Sequence, residues 1–491
     1  MKISRFLAAV AFTTTALLNT VSPRAADLPP IEAFGAVPSV SQVSISPDGN
    51  LLAWYDESGK EPTVVMFDLS TRQFKRTIPA GSKTKPRTLD WADNETLLIE
   101  ISYFDQRGAS ARTPYNYEMF RTIAADVKGG RDRVLLLTDP NRPHATGAPL
   151  ISPRAKNPKA VLMWTWNYRS TAAKQQTGSR IEMTRRDSGW VNQVFEVDTR
   201  TGLGKIIETG SNLTYDWIVN ANHEVVARSD WDPASETFTV LAKNGIGWRE
   251  LLRTQHQGAR TLYGVDREGK SLIVSGFSDL GRATLIAYPL DGSPSKPLFD
   301  DPLAGVLSVS TDPFTHSPIS VTLEGLEQKT HWFDPVAEKQ FRAIAKAFPG
   351  KTIGAYQYSE NNKRVLAEVQ GPSSPPIYYL IDFETHNADI VGEAYPALAN
   401  VTLGEVRAID YKARDGTPIP AYLTLPPGST GANLPLVVMP HGGPEAHDDY
   451  EFNWRAQFLA SRGYAVLQPQ FRGSTGSAKP GARPAINNGA S

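Results

Sequence analysis

The sequence predicts a mainly β protein, a β-propeller of about seven blades, which passes near residue 405 into the incomplete start of an α/β domain. Two observations predict it. A polar turn followed by a β-rich apolar run recurs seven times at a spacing suited to four-stranded blades. Beyond residue 405 that repeat gives way to strand, glycine loop, helix and strand.

The repeat unit is a serine or aspartate near a strand end, a polar turn, then a short apolar run. It is clearest at Ser46-Pro47-Asp48-Gly49 before Leu51 to Trp54, and at Asp93-Asn94 before Thr96 to Ile99. Weaker copies turn at Asn157, Asn222, Glu268-Gly269, Thr315-His316 and Asn361-Asn362. Counted from 48, 93, 157, 222, 268, 315 and 361, the spacings are 45, 64, 65, 46, 47 and 46 residues. Helical repeats of similar length would carry a 3.6-residue period, which these runs lack. Val64 to Thr71, Val194 to Asp198 and Tyr378 to Phe383 add a second strand type that runs into a hairpin turn. A β-sandwich with fortuitous spacing is the alternative. The two long spacings require insertions, and Asp105 to Pro114 and Arg169 to Gly189 supply them. Lys174, Arg180, Arg185 and Arg186 in the second insertion either steer a carboxylate or simply face solvent.

Composition narrows the function classes. The 491 residues carry 51 basic and 51 acidic side chains with no long run of one sign, so neither nucleic acid nor an anionic membrane surface is an expected partner. Residues 1–26 run from Lys2 and Arg5 through the apolar stretch Phe6 to Leu18 to small residues at Ser22 to Ala26, the order of a secretory signal. A secreted or periplasmic location is therefore expected. The apolar stretch is short of the roughly 20 residues that span a bilayer, so no membrane span should remain after cleavage. The chain has no cysteine, which excludes disulfides, thiolate metal sites and a cysteine nucleophile. Gly350-Lys351-Thr352 has Ala345 where a phosphate loop needs its first glycine, and His441, His447, Asp448 and Asp449 lack a metal-binding spacing. No cofactor or metal is expected, and the sequence is silent on oligomeric state.

Residues 27–404 are thus assigned to the propeller and 405–476 to the following domain. Val406 to Tyr411 and Ala421 to Leu425 flank Arg414-Asp415-Gly416, a hairpin with the favoured Asp-Gly turn. Leu436 to Met439 reads as a strand buried on both faces, followed by Pro440-His441-Gly442-Gly443-Pro444. A helix with Trp454, Phe458 and Leu459 on one face ends at Gly463, and Tyr464 to Leu467 is the next strand. In an α/β-hydrolase the loop after such a strand brings a backbone N–H to the developing oxyanion, and glycines let it approach. Pro444 has no N–H, so Gly443 or Gly442 must donate, with His441 and Pro444 supporting the loop. Taken alone, the same four residues also fit a simple glycine turn.

A propeller of about seven blades, the Arg-Asp-Gly hairpin, His441-Gly442-Gly443-Pro444 and Arg472-Gly473-Ser474-Thr475-Gly476 together resemble the prolyl oligopeptidase family of serine peptidases. The likeness is to its acylaminoacyl-peptidase and dipeptidyl-aminopeptidase branch, and extends from Pro30-Ile31-Glu32-Ala33-Phe34 to residue 476. It implies hydrolysis of short peptides, with the Gly443 N–H contributing to the oxyanion hole. The family's nucleophile sits in Gly-x-Ser-x-Gly, followed by the acid and the histidine. No such pentapeptide occurs, and Ser278 and Ser373 each lack the closing glycine. None of the triad is present, so this chain is expected to be inactive. The tail Ser477 to Ser491 lacks periodicity and apolar content. Suitable codon choices for it, read one base earlier, permit Phe-Gly-Lys-Ala-Trp, a family-like continuation, so a frameshift after Gly476 is the leading expectation, with a deliberate end point or a natural short form as the alternatives. The 405–476 segment should then be a poorly ordered appendage with exposed apolar edges. A non-catalytic propeller binding a protein partner in the cell envelope is the rival reading.

Overall fold

The computed structural model describes residues 2–5, 28–81, 83–106, 116–136, 148–169, 189–279, 281–325, 329–443 and 446–475. They group into two compact units, one from 44–55 and 59–321, the other from 1–43, 56–58 and 322–491. Most of the first predicted insertion, residues 170–188 of the second with their four basic side chains, Pro444 and the tail from Gly476 lie outside the described residues.

Seven successive antiparallel sheets cover 40–79, 85–134, 150–209, 214–255, 262–299, 306–332 and 352–393. Each predicted turn falls between the first and second strands of one sheet. Ser46 shows how the turn is built. Its hydroxyl donates to Asp48 Oδ1 at 2.7 Å and accepts from the Leu51 amide at 2.9 Å, while its own amide donates to the Leu51 carbonyl. Ser359 repeats this with Asn361 and Arg364. Asn220, Asp266 and Asp312 use a side-chain oxygen to accept amides across the equivalent turns. A short polar side chain at the strand end thus replaces the backbone acceptors that a sharp reversal leaves unpaired. A second set of hairpins is closed by Asp68, Asp198 and Asp382, each accepting two backbone amides.

In the unit of 44–55 and 59–321, the second, third and fourth sheets each bury both faces against their neighbours. Leu97 and Ile99 pack with Leu51, Ala53, Tyr55, Val64 and Met66 of the preceding sheet, whereas Leu98 packs with Val161, Met163 and Phe195 of the next. Leu162 and Val194 then face Trp217, Val219 and Val225, and Ala227, Phe238 and Val240 face Leu262, Leu272 and Val274. The period of two along each strand sends alternate residues to opposite neighbours, which explains apolar runs with no polar alternation. First strands from four of these sheets line a cavity of about 280 Å³, among them Ile151, Trp217, Tyr263 and Val309.

Two elements depart from the predicted blade. The sixth sheet has three strands among the described residues, and the helix Pro335–Ala347 follows it. Asp334 caps that helix by accepting the Val336 and Ala337 amides, and Pro335 occupies its first turn. The seventh sheet gains a fifth, parallel strand, Lys2–Arg5, paired with Asn387–Glu393.

The segment after 405 is not a loose appendage. Val406–Lys412, Pro418–Thr424, Ala465–Pro469 and Leu436–Val438 form one sheet in that spatial order. Leu436–Val438 pairs parallel to Ala465–Pro469, with the helix Trp454–Ser461 between them in sequence, as the predicted order requires. The expectation that the Leu436 strand is buried on both faces is corrected, because it is an edge strand with Leu436 55% and Val438 56% exposed. The helix keeps part of the predicted face, with Phe458 packed on Phe34 and Leu398, but not Trp454. Ala456, Gln457 and Ala460 are buried and Trp454 is 38% exposed, because small side chains let the helix approach Gly404, whose Cβ position lies 3.2 Å from the Ala460 Cβ.

Candidate oxyanion loop

The parallel ladder carries the chain from Leu436 to Met439, whose amide donates to the Leu467 carbonyl at 2.8 Å. Pro440, His441, Gly442 and Gly443 follow. Gly443 has φ +133°, a backbone conformation open to glycine and strained for any residue with a Cβ. Gly442 has open space where a Cβ would stand. Of the two, only Gly443 requires glycine for its backbone. Both are exposed.

Histidine side chains tie this loop to the loop after Ala465–Pro469. His441 stacks on Phe471 with ring centroids 4.4 Å apart, and its Nε2 lies 2.7 Å from Ser474 Oγ. His447 places Nδ1 3.0 Å from Thr475 Oγ1 and Nε2 3.0 Å from Asp449 Oδ1. Backbone contacts run alongside, with the Thr475 amide on the Ala446 carbonyl and Gln470 Nε2 on the Asp448 carbonyl. Arg472 bonds Asp415 of the Asp-Gly hairpin and holds that carboxyl at about 2. Sequence reasoning named His441, Gly442 and Gly443 but missed His447, Ser474 and Thr475 as its supports. The Arg-Gly-Ser-Thr run holds Ser474 and Thr475 but gives no sign of which side chains they meet, and His447 enters the sequence reading only as a rejected metal ligand.

Carboxylates gather behind the loop. Burial, with Asp449 and then Glu368 beside it, pushes Glu451 up to about 7. Burial also raises Asp448 and Glu368 above the ordinary carboxylate range. Among the described residues no three such side chains converge as metal ligands. The serines set aside in the sequence have structural partners. The Ser373 hydroxyl donates to the Gly404 carbonyl, and Ser278 Oγ accepts the Arg282 amide in a hairpin.

No protein-family profile matches the chain. It is similar to dipeptidyl aminopeptidase BIII of Pseudoxanthomonas mexicana, with 24% identity over 488 residues, spanning 96% of this chain and 65% of that protein. It is also similar to dipeptidyl peptidase family member 6 of Caenorhabditis elegans, 27% identical over 258 residues, 47% of this chain and 35% of that one. Among solved structures it shares a fold with a puromycin-hydrolysing peptidase of Mycobacterium tuberculosis, with TM-score 0.57, 16% identity, and 92% of this chain on 69% of that one. An acylaminoacyl peptidase in complex with Z-Gly-Gly-Phe-chloromethyl ketone gives TM-score 0.56 and 15% identity, 91% of this chain on 67% of that one. Prolyl oligopeptidase B of Galerina marginata gives TM-score 0.56 and 13% identity, 90% of this chain on 63% of that one. The chain therefore spans about two thirds of the length of the first relative and of these structures.

Proposed function

We propose that this chain, whose relatives over most of its length are serine peptidases of the prolyl oligopeptidase family, is the propeller and leading hydrolase segment of an exported peptidase for short peptides. The seven successive sheets are its blades, and residues 405–476 begin its α/β-hydrolase domain. The observation that carries this reading is Gly443. It stands at φ +133° two residues beyond His441, after a parallel strand, in a loop anchored from a second loop. That is where acyl-transfer chemistry of this kind requires a backbone donor.

In such a peptidase a serine attacks the scissile carbonyl and a histidine takes its proton and returns it to the leaving amine. The Gly443 N–H and the N–H after the serine stabilise the oxyanion. The 491 residues supply the first donor and contain no Gly-x-Ser-x-Gly. On this reading they bind the transition-state charge on one side and do not hydrolyse peptides by themselves. The test is direct. The purified chain, incubated with chromogenic dipeptidyl and acylaminoacyl amides, should release no more product than buffer. Release that a serine-directed phosphonate abolishes would overturn the reading by revealing a nucleophile within these residues. The source gene, read in all three frames past the Gly476 codon, should continue through Phe-Gly to a Gly-x-Ser-x-Gly. Export is checked by sequencing the N-terminus of the mature protein, expected near residue 27, which would leave the seventh sheet without its parallel strand Lys2–Arg5.

A further inference from the structure

The Arg-Gly-Ser-Thr run is left without a task by the reading above, yet two of its hydroxyls meet both histidines of the glycine loop. Hydrogen-bonding chemistry fixes the roles. His441 Nδ1 lies 2.8 Å from the Gly442 carbonyl, which can only accept, so Nδ1 carries the proton. In the neutral ring Nε2 is then bare, and the Ser474 hydroxyl donates to it at 2.7 Å. His447 is the mirror case. In the neutral ring Nε2, 3.0 Å from the Asp449 carboxylate, carries the proton, leaving Nδ1 to accept from Thr475 Oγ1 at 3.0 Å.

Two consecutive hydroxyls thus hold two rings six residues apart, one on each side of Gly443. Ser474 is 7% exposed, and Phe471 covers the His441 ring face. The Thr475 amide reaches the Ala446 carbonyl at 2.9 Å, so backbone and side chain of one residue grip the same loop. A glycine at φ +133° has few intrinsic preferences to orient its N–H. Its direction must be imposed by what is anchored before and after it.

We propose that Ser474 and Thr475 are positioning residues, whose hydroxyls lock the tautomers of His441 and His447 and so aim the Gly443 N–H at the oxyanion. This rests on the assignment of Gly443 as the donor and adds the device that preorganises it. A donor held in place before reaction costs no reorganisation at the transition state.

The test uses the full chain and needs no hydrolysis. Selective 15N-histidine labelling reads the ring tautomers, with His441→Gln and His447→Gln spectra for assignment. His441 should be protonated on Nδ1 and His447 on Nε2; the opposite tautomer at either ring overturns the proposal without any appeal to variants. Labelling with 15N-glycine then follows Gly443, assigned through Gly443→Ala. Its amide order parameter should be near ~0.85 in the parent and below about 0.6 in Ser474→Ala and in Thr475→Val. Thr475→Ser, which keeps the hydroxyl, should restore it. A purely structural role would lower the thermal midpoint while leaving Gly443 ordered, and that result also overturns the proposal. Failure of the peptidase reading would appear as product release by this chain, or as a source gene that continues to no Gly-x-Ser-x-Gly, and would leave these spectra as expected, so the two failures are distinguishable.

Discussion

Gly442 and Gly443 are adjacent, and the structure gives them opposite tolerances. A Cβ at Gly442 meets open space, whereas at Gly443 the backbone itself, at φ +133°, resists one. Gly443→Ala should therefore lower stability by about 1–3 kcal/mol and Gly442→Ala by well under 1 kcal/mol, compared in urea melts of the two variants. The carboxylates behind the loop give a prediction with a defined sign. Glu451 has a folded-state value of about 7 against an ordinary 4.5, because it is buried and faces Asp449 and Glu368. Between those values the folded chain keeps a proton that the unfolded chain has released, so stability falls as pH rises through that window and then levels off. Glu451→Gln should remove this slope and raise stability at pH 8 by about 1–2 kcal/mol, after discounting for the residue's remaining exposure. Parallel pH–stability curves for parent and variant would show that Glu451 ionises at its ordinary value.

At the scale of the element, the strand-end serine turns local sequence into the geometry of a tight hairpin. Ser46 and Ser359 are both fully buried, and each accepts the amide that begins the second strand. Removing either hydroxyl leaves a buried amide without its partner, and Ser46→Ala or Ser359→Ala should each cost about 1–2 kcal/mol in a thermal or denaturant melt. A loss below ~0.5 kcal/mol would show that these turns are held by strand pairing alone. The same residues explain why the sheets were legible in the sequence. The turn needs a short polar side chain, and the pleat needs a β-rich run after it, so both leave marks at fixed spacing. The departures came from elements whose character is set elsewhere. Leu436–Val438 has the composition of a central strand but occupies an edge, because position within a sheet depends on which strands pair with it. The helix Trp454–Ser461 buries Gln457 in place of Trp454, because the backbone at Gly404 admits close approach only on its small-residue face. The glycine loop was legible through its backbone needs. Its supports at His447, Ser474 and Thr475 were not, since a hydroxyl in a loop has many possible partners and only the fold chooses among them.

Over the whole molecule, the sequence divides into blades and a following domain at residue 404, but packing does not stop there. Within the unit holding 322–491, the helix Ile31–Gly35 shares a core with residues near the far end of the chain. Phe34 meets Phe458 edge-on at 5.8 Å, with Leu398 and Phe452 alongside, and Arg462 bonds the Pro29 carbonyl. Gln457 joins three parts of this region. Its Oε1 accepts the Gly404 amide at 2.7 Å, and its Nε2 donates to the carbonyls of Pro372 at 2.9 Å and Gly404 at 3.0 Å. The side chain is 1% exposed, so nothing else in water can take over those bonds. The last sheet, the connecting segment and the α/β helix are therefore one cooperative body, and the segment after 405 is held by buried hydrogen bonds as well as by apolar contact. Gln457→Ala should cost about 2–3 kcal/mol, with faster hydrogen exchange confined first to the Gly404 amide and the neighbouring segment of the helix. If exchange at Gly404 stays as slow in the variant as in the parent, the join lies in the Phe34 cluster, and Phe458→Ala would then show the larger loss.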